Sequence, residues 1–291
     1  MGIHSVEKKH LSAGGMLKIV CSVFKQVPEP NRDPRGAKPE IALADCLMSG
    51  LAIFENKFPS LLQFDQNRSS EPVRHNLKTL YHVSRAPDDT TMRQRLDKVH
   101  PLQLRGAFTA LFSQLQRGKV LEDYRFLDNY LLIAIDGTTL FSSQKVQCEN
   151  CCAKHHRNGK TTYYHQALVA EVIHPDQKEV FPLCPEPISK QDGSTKNDCE
   201  QNAMQRLLKD FKREHPHIKA VFTADALSAK GPYLRRIQEI GAHFIVNVNP
   251  KGNPTLFEWL KGVPLEKKRI KVEGETIDLK LYEWTATKRR K

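Results

Sequence analysis

The sequence predicts an α/β protein in which a mixed sheet with flanking helices follows a mostly helical N-terminal module. Three observations predict this class. Between residues 40 and 120 apolar residues recur at three- and four-residue steps, which places their side chains on one face of a helix. From Leu131 the pattern changes to short apolar runs typical of buried strands. Beyond residue 200 helices and strands alternate, as they do in strand-helix-strand units.

The N-terminal part divides at a proline-rich stretch. We interpret residues 1–39 as an N-terminal segment and linker, since VPEPNRDPRGAKP cannot continue a helix or a strand. Residues 40–125 then form a helical module with a DNA-binding role. The expected helical faces carry Leu43, Leu47, Leu51 and Phe54, then Met92 and Leu96 behind a cap at Asp89 or Thr90, then Phe108, Leu111, Phe112 and Leu115.

Residues 126–262 are predicted to form the sheet and its helices. The expected strands are 131–135, 161–173, 178–183, 220–224 and 242–248. Three strands precede the first helix of this region, so the first half of the sheet should be antiparallel. That helix opens with Asn197 as cap and Glu200 three residues later, the spacing of a capping box. In residues 263–291, the segments 270–272 and 277–282 predict a small hairpin.

Charge and composition restrict the class of partner. The formal net charge is +12 and the isoelectric point is about 9.3, which favours DNA, although a solvated basic surface is the other interpretation. The same two interpretations apply to the basic residues of the helical module. These are Arg68, Arg74, Lys78, Arg85, Arg93, Arg95 and Lys98.

No apolar run is long enough to span a membrane. Seven cysteines, an odd number, favour a reducing compartment, and we expect a cytoplasmic, nucleoid-associated protein.

Two aspartates follow buried strands. Asp136 stands in IAIDGTT and Asp225 in FTADALS, each expected where its strand stops. If the strands are neighbours, the two carboxylates supply hard oxygen ligands of the kind that Mg²⁺ or Mn²⁺ requires. Two such ions can promote phosphodiester cleavage. An aspartate before glycine is also a common turn former, so the pair carries weight only together.

Several longer stretches resemble a known family. They are IDGTTLFSSQKVQCENCC, TYYHQALVAEVIHPD, PEPISKQDGSTKNDCEQNAMQRLL, TADALSAKGPYLRRI and, upstream, DDTTMRQRLDKVHPLQLRGAF. Over roughly residues 55–260 the chain resembles bacterial insertion-sequence transposases of the DDE class, whose catalytic domain is RNase H-like. The resemblance implies that Asp136 and Asp225 are catalytic metal ligands. It also implies transposon ends and target DNA as partners, with a homodimer on DNA as one arrangement.

The family's third acidic residue lies on a helix beyond a strand-rich insertion. We expect the chain to be C-terminally truncated before that helix, with an incomplete core in 126–262 and the start of the insertion in 263–291. Glu239 follows Asp225 too closely to replace the missing acid, and Glu258 is left open. We therefore expect the chain alone to be inactive in strand cleavage and transfer. The alternative is a non-catalytic, basic DNA-binding remnant of a transposase.

A cluster of soft ligands lies between the first two strands. Cys148, Cys151, Cys152 and His155, with His156 beside them, form a pattern that can close on one Zn²⁺. The other interpretation is that the cysteines are small packing residues. We assign no role to the other polar residues in the stretches that resemble the transposase family. These are His165, Glu186, Gln191, Asp192 and Lys196.

Overall fold

The computed structural model describes residues 11–30, 39–127, 129–190, 200–225, 231–263, 266–272 and 275–281. Within these residues the chain is α/β, with a helical N-terminal half and a mixed sheet flanked by helices. No described helix combines the length and the apolar character needed to cross a bilayer.

The N-terminal half is built from helices packed on a shared apolar core. They are α1 (Ala13–Phe24), α2 (Leu43–Glu55), α3 (Leu61–Asn67), α4 (Glu71–Thr79), α5 (Asp89–Leu96) and α6 (Arg105–Arg117). Leu17, Met48 and Phe64 are among the residues buried in this core. Helix α1 belongs to the expected N-terminal segment, yet its apolar face completes the core of the helices that follow.

The main sheet contains both parallel and antiparallel pairs. Its strands are β1 (Arg125–Phe126), β2 (Tyr130–Ser143), β3 (Cys152–His155), β4 (Thr161–Ile173), β5 (Phe181–Pro182), β6 (Glu186–Ile188), β7 (Ala220–Ala224) and β8 (His243–Val246). The order is β3-β4-β2-β7-β8, and β5 and β6 also pair with β4. Strand β4 runs antiparallel to β2, whereas β7 and β8 run parallel to it.

Helices cover the sheet and complete its core. Helix α7 (Glu200–Glu214) buries Met204, Leu208 and Phe211 against strand residues that include Ile133 and Phe222. Helix α8 (Gly231–Glu239) connects β7 to β8 and also contributes to this core. After it come α9 (Pro254–Leu260) and a separate antiparallel hairpin of β9 (Glu266–Val272) and β10 (Glu275–Leu281).

A network of ion pairs centred on buried Glu186 joins the helical half to the sheet. Glu186 on β6 is only 2% exposed and accepts hydrogen bonds from Arg105 on α6, at 3.3 Å, and from Arg206 on α7, at 2.5 Å. Arg105 also pairs with Asp210 at 2.8 Å and with Glu214 at 3.3 Å. Because each charge has a partner, the network can hold three elements together without leaving an unpaired buried ion.

Most predicted elements are confirmed, and several details are corrected. The strands 161–173 and 220–224 have the predicted bounds. Phe54, expected on a buried helical face, is 82% exposed. The cap of α5 is Asp88 rather than Asp89 or Thr90, because the Asp88 side chain accepts the Thr91 N–H. Of the predicted strand 178–183 only β5, Phe181–Pro182, forms, and the short strand β6 that follows it was not predicted. The capping role of Asn197, with Gln191, Asp192 and Lys196, falls outside the described residues.

Candidate active site and a second ligand cluster

Asp136 and Asp225 lie on neighbouring parallel strands. Strand β2 does not stop at Asp136, as the sequence led us to expect, but continues to Ser143 beside β4. Its pairing with β7 ends at Ile135, which is opposite Ala224. Asp136 and Asp225 are the residues that follow this last pair, and both are exposed. Since paired strands lie about 4.8 Å apart, the register places the two aspartates side by side.

A third acidic residue, Glu200, reaches the same point from helix α7. The Glu200 carboxyl stands directly over Gly137, the residue after Asp136. A Cβ added at Gly137 would lie 2.7 Å from Glu200 Cδ and closer still to Oε1. A side chain at this position would therefore displace the Glu200 carboxyl group, and glycine lets it remain close to the strand.

The pKa of Glu200 responds to burial and to the charges of both aspartates. Partial burial raises the pKa of Glu200 above its ordinary value, and the charges of Asp225 and Asp136 raise that pKa further. Each of these effects disfavours the ionised carboxylate. The site thus concentrates negative charge that a bound cation would neutralise, and perturbed carboxyl groups of this kind are characteristic of functional sites.

Glu200 was missed as a site residue because a local structural role explained it. The sequence pairs it with Asn197 in a capping box. A carboxylate in the first turn of a helix is stabilised by the helix dipole, which makes such residues common without any ligand. The usable signal was topological, since Glu200 opens the helix that leads directly into the strand before Asp225.

The acids considered as alternatives are found elsewhere. Glu239 is the last residue of helix α8 and is exposed. Glu258 lies on α9, where its Oε1 accepts a hydrogen bond from Lys261 Nζ at 2.7 Å. Both side chains of this pair are about 70% exposed, at 69% and 72%. Glu258 is therefore engaged in an ordinary surface ion pair.

The three carboxylates offer the kind of ligand that a hard divalent cation prefers, but their oxygen atoms do not all lie within 4.8 Å of one another, so a shared cation would have to draw them closer. Asp136, Asp225 and Glu200 supply carboxylate oxygens, which are the ligands preferred by Mg²⁺ and Mn²⁺. Asp136 Oδ1 also accepts the Gly137 N–H at 2.8 Å, an interaction that limits the rotation of this carboxylate. The arrangement could hold a cation at the boundary between the sheet and solvent, where a phosphate group has access.

A second ligand cluster lies where the connection between β2 and β3 meets strand β4. The Sγ atoms of Cys148 and Cys151 are 3.6 Å apart, and His165 Nε2 lies 3.2 Å from the first and 3.3 Å from the second. Cys148 is exposed, Cys151 is buried and His165 is half-buried. These side chains could hold a metal ion.

Two of the predicted ligands, Cys152 and His155, do not belong to this cluster. Cys152 faces the sheet core, is fully buried, and its Sγ donates to the Ile188 carbonyl at 3.7 Å. His155 lies further along β3, where its Nδ1 is 3.0 Å from Thr161 Oγ1. Adjacent residues of a strand point to opposite faces, which is why Cys151 and Cys152 diverge. His165 was overlooked because strand pairing, not sequence spacing, brings it to the cysteines.

Many basic residues of the helical half are paired with acids. Arg68, Arg74, Arg85, Arg93 and Arg95 pair with Asp65, Glu71, Glu40, Asp89 and Glu29, respectively. The Arg95 side chain is only 12% exposed and also donates to the Ile41 carbonyl. Arg95 therefore has a structural role in joining segments of the module.

No protein-family model matches the chain, and no curated protein shows significant similarity to it.

Proposed function

We propose that this protein carries out metal-dependent DNA strand cleavage and strand transfer as a transposase of the DDE class. The observation that carries the proposal is the placement of Asp136 and Asp225 where the parallel pairing of β2 with β7 ends, with Glu200 near enough for both of their charges to raise its pKa. The strand order and directions, with an antiparallel first half and two parallel strands beyond β2, agree with the RNase H-like domain that the family resemblance implies.

In this proposal the protein residues hold and position a cation. Asp136, Asp225 and Glu200 would bind Mg²⁺ or Mn²⁺. The bound cation would lower the pKa of an attacking water and stabilise negative charge on the leaving oxygen. Gly137 leaves room for Glu200 to reach the aspartates. Repulsion among the three carboxylates favours cation binding over a cation-free site.

The third carboxylate changes the expectation of inactivity. Sequence alone supplied two acids and led us to expect no cleavage by the chain. Glu200 provides another oxygen ligand from within the described residues. Hydrolysis of one strand requires attack of water on phosphorus and departure of a 3′ oxygen. This hydrolysis is the first half of a transposition reaction, and it is the step in which we propose that Asp136, Asp225 and Glu200 act.

A basic hairpin is the surface proposed to contact the DNA. It consists of β3, the turn 156–160 and the start of β4, and it carries the exposed residues Lys154, Arg157 and Lys160. Exposed lysines and arginines neutralise phosphates and release counterions. The arginines of the helical half are less suited to this contact, because acidic neighbours already pair with several of them.

A nicking assay tests the proposed chemistry. The purified chain should convert supercoiled plasmid to nicked circles with Mn²⁺ and not with EDTA. Asp136→Asn, Asp225→Asn and Glu200→Gln should each reduce the rate at least about 100-fold, which is about 2.7 kcal/mol of activation free energy. Glu258→Gln is the matched control and should leave the rate unchanged.

The outcomes also separate the two functions considered. If Glu258→Gln abolished nicking and Glu200→Gln did not, the third acidic role would belong to Glu258. If the folded wild-type chain bound DNA without Mn²⁺-dependent nicking, the non-catalytic remnant would be the better description.

A further inference from the structure

The cluster of Cys148, Cys151 and His165 lies at the base of the basic hairpin. Cys148 and Cys151 belong to the connection between β2 and β3, and His165 belongs to β4, opposite Phe141 of β2. The connection, residues 144–151, contains neither helix nor strand. Its position therefore depends on contacts such as these. Its other anchor is weak, since Asn150 O accepts the Lys190 N–H at 3.4 Å.

The distances among the three ligand atoms match one face of a zinc tetrahedron. Zn²⁺ binds thiolate sulfur at about 2.3 Å and imidazole nitrogen at about 2.0–2.1 Å, which puts neighbouring ligand atoms about 3.5–3.8 Å apart. The observed separations are 3.6, 3.2 and 3.3 Å. A small outward adjustment of His165 would complete the match.

The local backbone also favours a metal-bound thiolate. Cys151 Sγ accepts the Cys148 N–H at 3.3 Å, and the Cys148 carbonyl accepts the Cys151 N–H at 3.2 Å. A turn of this kind directs both sulfur atoms of a C-x₂-C pair to one point. Hydrogen bonds to ligand atoms fix their orientation and tune their basicity.

A disulfide explains the geometry less well than a metal. Disulfide sulfurs lie about 2.05 Å apart, whereas these are 3.6 Å apart and each is closer to His165 Nε2 than to the other sulfur. Two thiols and one imidazole are borderline-soft ligands, which select Zn²⁺ over Mg²⁺.

We propose that Cys148, Cys151 and His165 bind one Zn²⁺, with a water molecule as the fourth ligand beside exposed Cys148, and that this ion fixes the β2–β3 connection to strand β4. The site is separate from the acidic one. Asp136 is opposite Val169, and His165 lies four residues away on β4, a distance of about 13 Å at the rise of a strand. The zinc site therefore stands independently of the proposed function, and holds the base of the basic hairpin.

Metal analysis of the purified full chain, expressed with added zinc, tests this assignment. We expect about one equivalent of zinc in the wild type and less than about a tenth in Cys148→Ser, Cys151→Ser and His165→Ala. The matched controls, His155→Ala and Cys152→Ala, should keep their zinc, because neither side chain belongs to the cluster. Circular dichroism establishes that each variant is folded.

Cobalt substitution and hydrogen exchange supply readouts that do not depend on activity. Co²⁺ should give the visible bands of a tetrahedral site with a thiolate charge-transfer band in the wild type, and none in folded His165→Ala. Removing zinc should increase exchange in residues 144–152. A zinc-free wild type, zinc retained in His165→Ala, or zinc lost in His155→Ala would overturn the proposal.

Discussion

Gly137 is the residue that most directly tests how the acidic site is assembled. An alanine Cβ at this position would overlap the Glu200 carboxyl group, which is the flexible end of its side chain and can move away. Gly137→Ala should therefore leave the fold intact while displacing Glu200 from the aspartates. We expect Mn²⁺ affinity to fall at least about tenfold, or about 1.4 kcal/mol, as measured by calorimetry.

Gly50→Ala is the control for that substitution. It adds the same methyl group within helix α2, where the nearest atom of the added carbon is 3.7 Å away. This variant should bind Mn²⁺ as the wild type does. Equal affinity in Gly137→Ala and the wild type would show that Glu200 is not needed for binding.

His215 predicts a pH dependence of stability. It is buried against the rings of Phe112 and Phe211, and this burial lowers its pKa below the ordinary value of 6.5, although Glu214 opposes the shift. The folded protein thus keeps His215 neutral while the unfolded chain takes up a proton near pH 6.5. Its contribution to stability is complete above that pH and is lost as the pH falls below it.

Urea unfolding at pH 7.5, 6.5 and 5.5 measures this effect. In His215→Phe, which preserves an aromatic ring, the free energy of unfolding should decline less between pH 6.5 and 5.5. Exposed His217 supplies the control, since His217→Gln should retain the wild-type decline. An unchanged decline in His215→Phe would exclude His215 as its source.

At the level of elements, the ion network around Glu186 connects β6 with α6 and α7. Glu186→Gln would place an uncharged amide between Arg105 and Arg206, leaving buried positive charge without full compensation. We expect the free energy of unfolding to fall by about 3 kcal/mol, measured by urea denaturation. Glu71→Gln removes one partner of the exposed pair with Arg74 and should leave stability nearly unchanged. Similar small effects in both variants would refute a structural role for the network.

The basic hairpin predicts where DNA binds. Replacing Lys154, Arg157 and Lys160 with glutamine should weaken binding and reduce the salt dependence of the logarithm of the affinity by about 2–3, near one unit per lost phosphate contact. Fluorescence anisotropy across a range of salt concentrations measures both. The matched variant replaces Arg74 and Arg93, which pair with Glu71 and Asp89. If only this second variant lost affinity, the helical half would be the DNA-binding surface.

For the whole molecule, periodicity predicted elements well where burial was strong. The alternating burial of Leu168, Ala170 and Val172 explains why the bounds of β4 could be read from the sequence. Helices α3 and α4 were not predicted, because each is short and buries only a single residue, Phe64 and Leu77, respectively. Apolar spacing therefore gave little signal for these two helices.

The sites were less predictable because they depend on contacts distant in sequence. Asp136 and Asp225 could be selected because each directly follows a run of mostly apolar residues in the sequence. Glu200 and His165 could not, since strand register and helix packing bring them to their clusters. A capping role explained Glu200 locally, and nothing in the spacing around Cys148 indicated a ligand on β4.

Calorimetric titration of Mn²⁺ into the metal-free chain at pH 7.5 tests the central claim most directly. The proposed shared coordination by Asp136, Asp225 and Glu200 predicts saturable binding that is at least about tenfold weaker in Asp136→Asn, Asp225→Asn and Glu200→Gln, and unchanged in Glu258→Gln. Equal affinity in the wild type and in all three site variants would contradict the claim that these residues form a metal site.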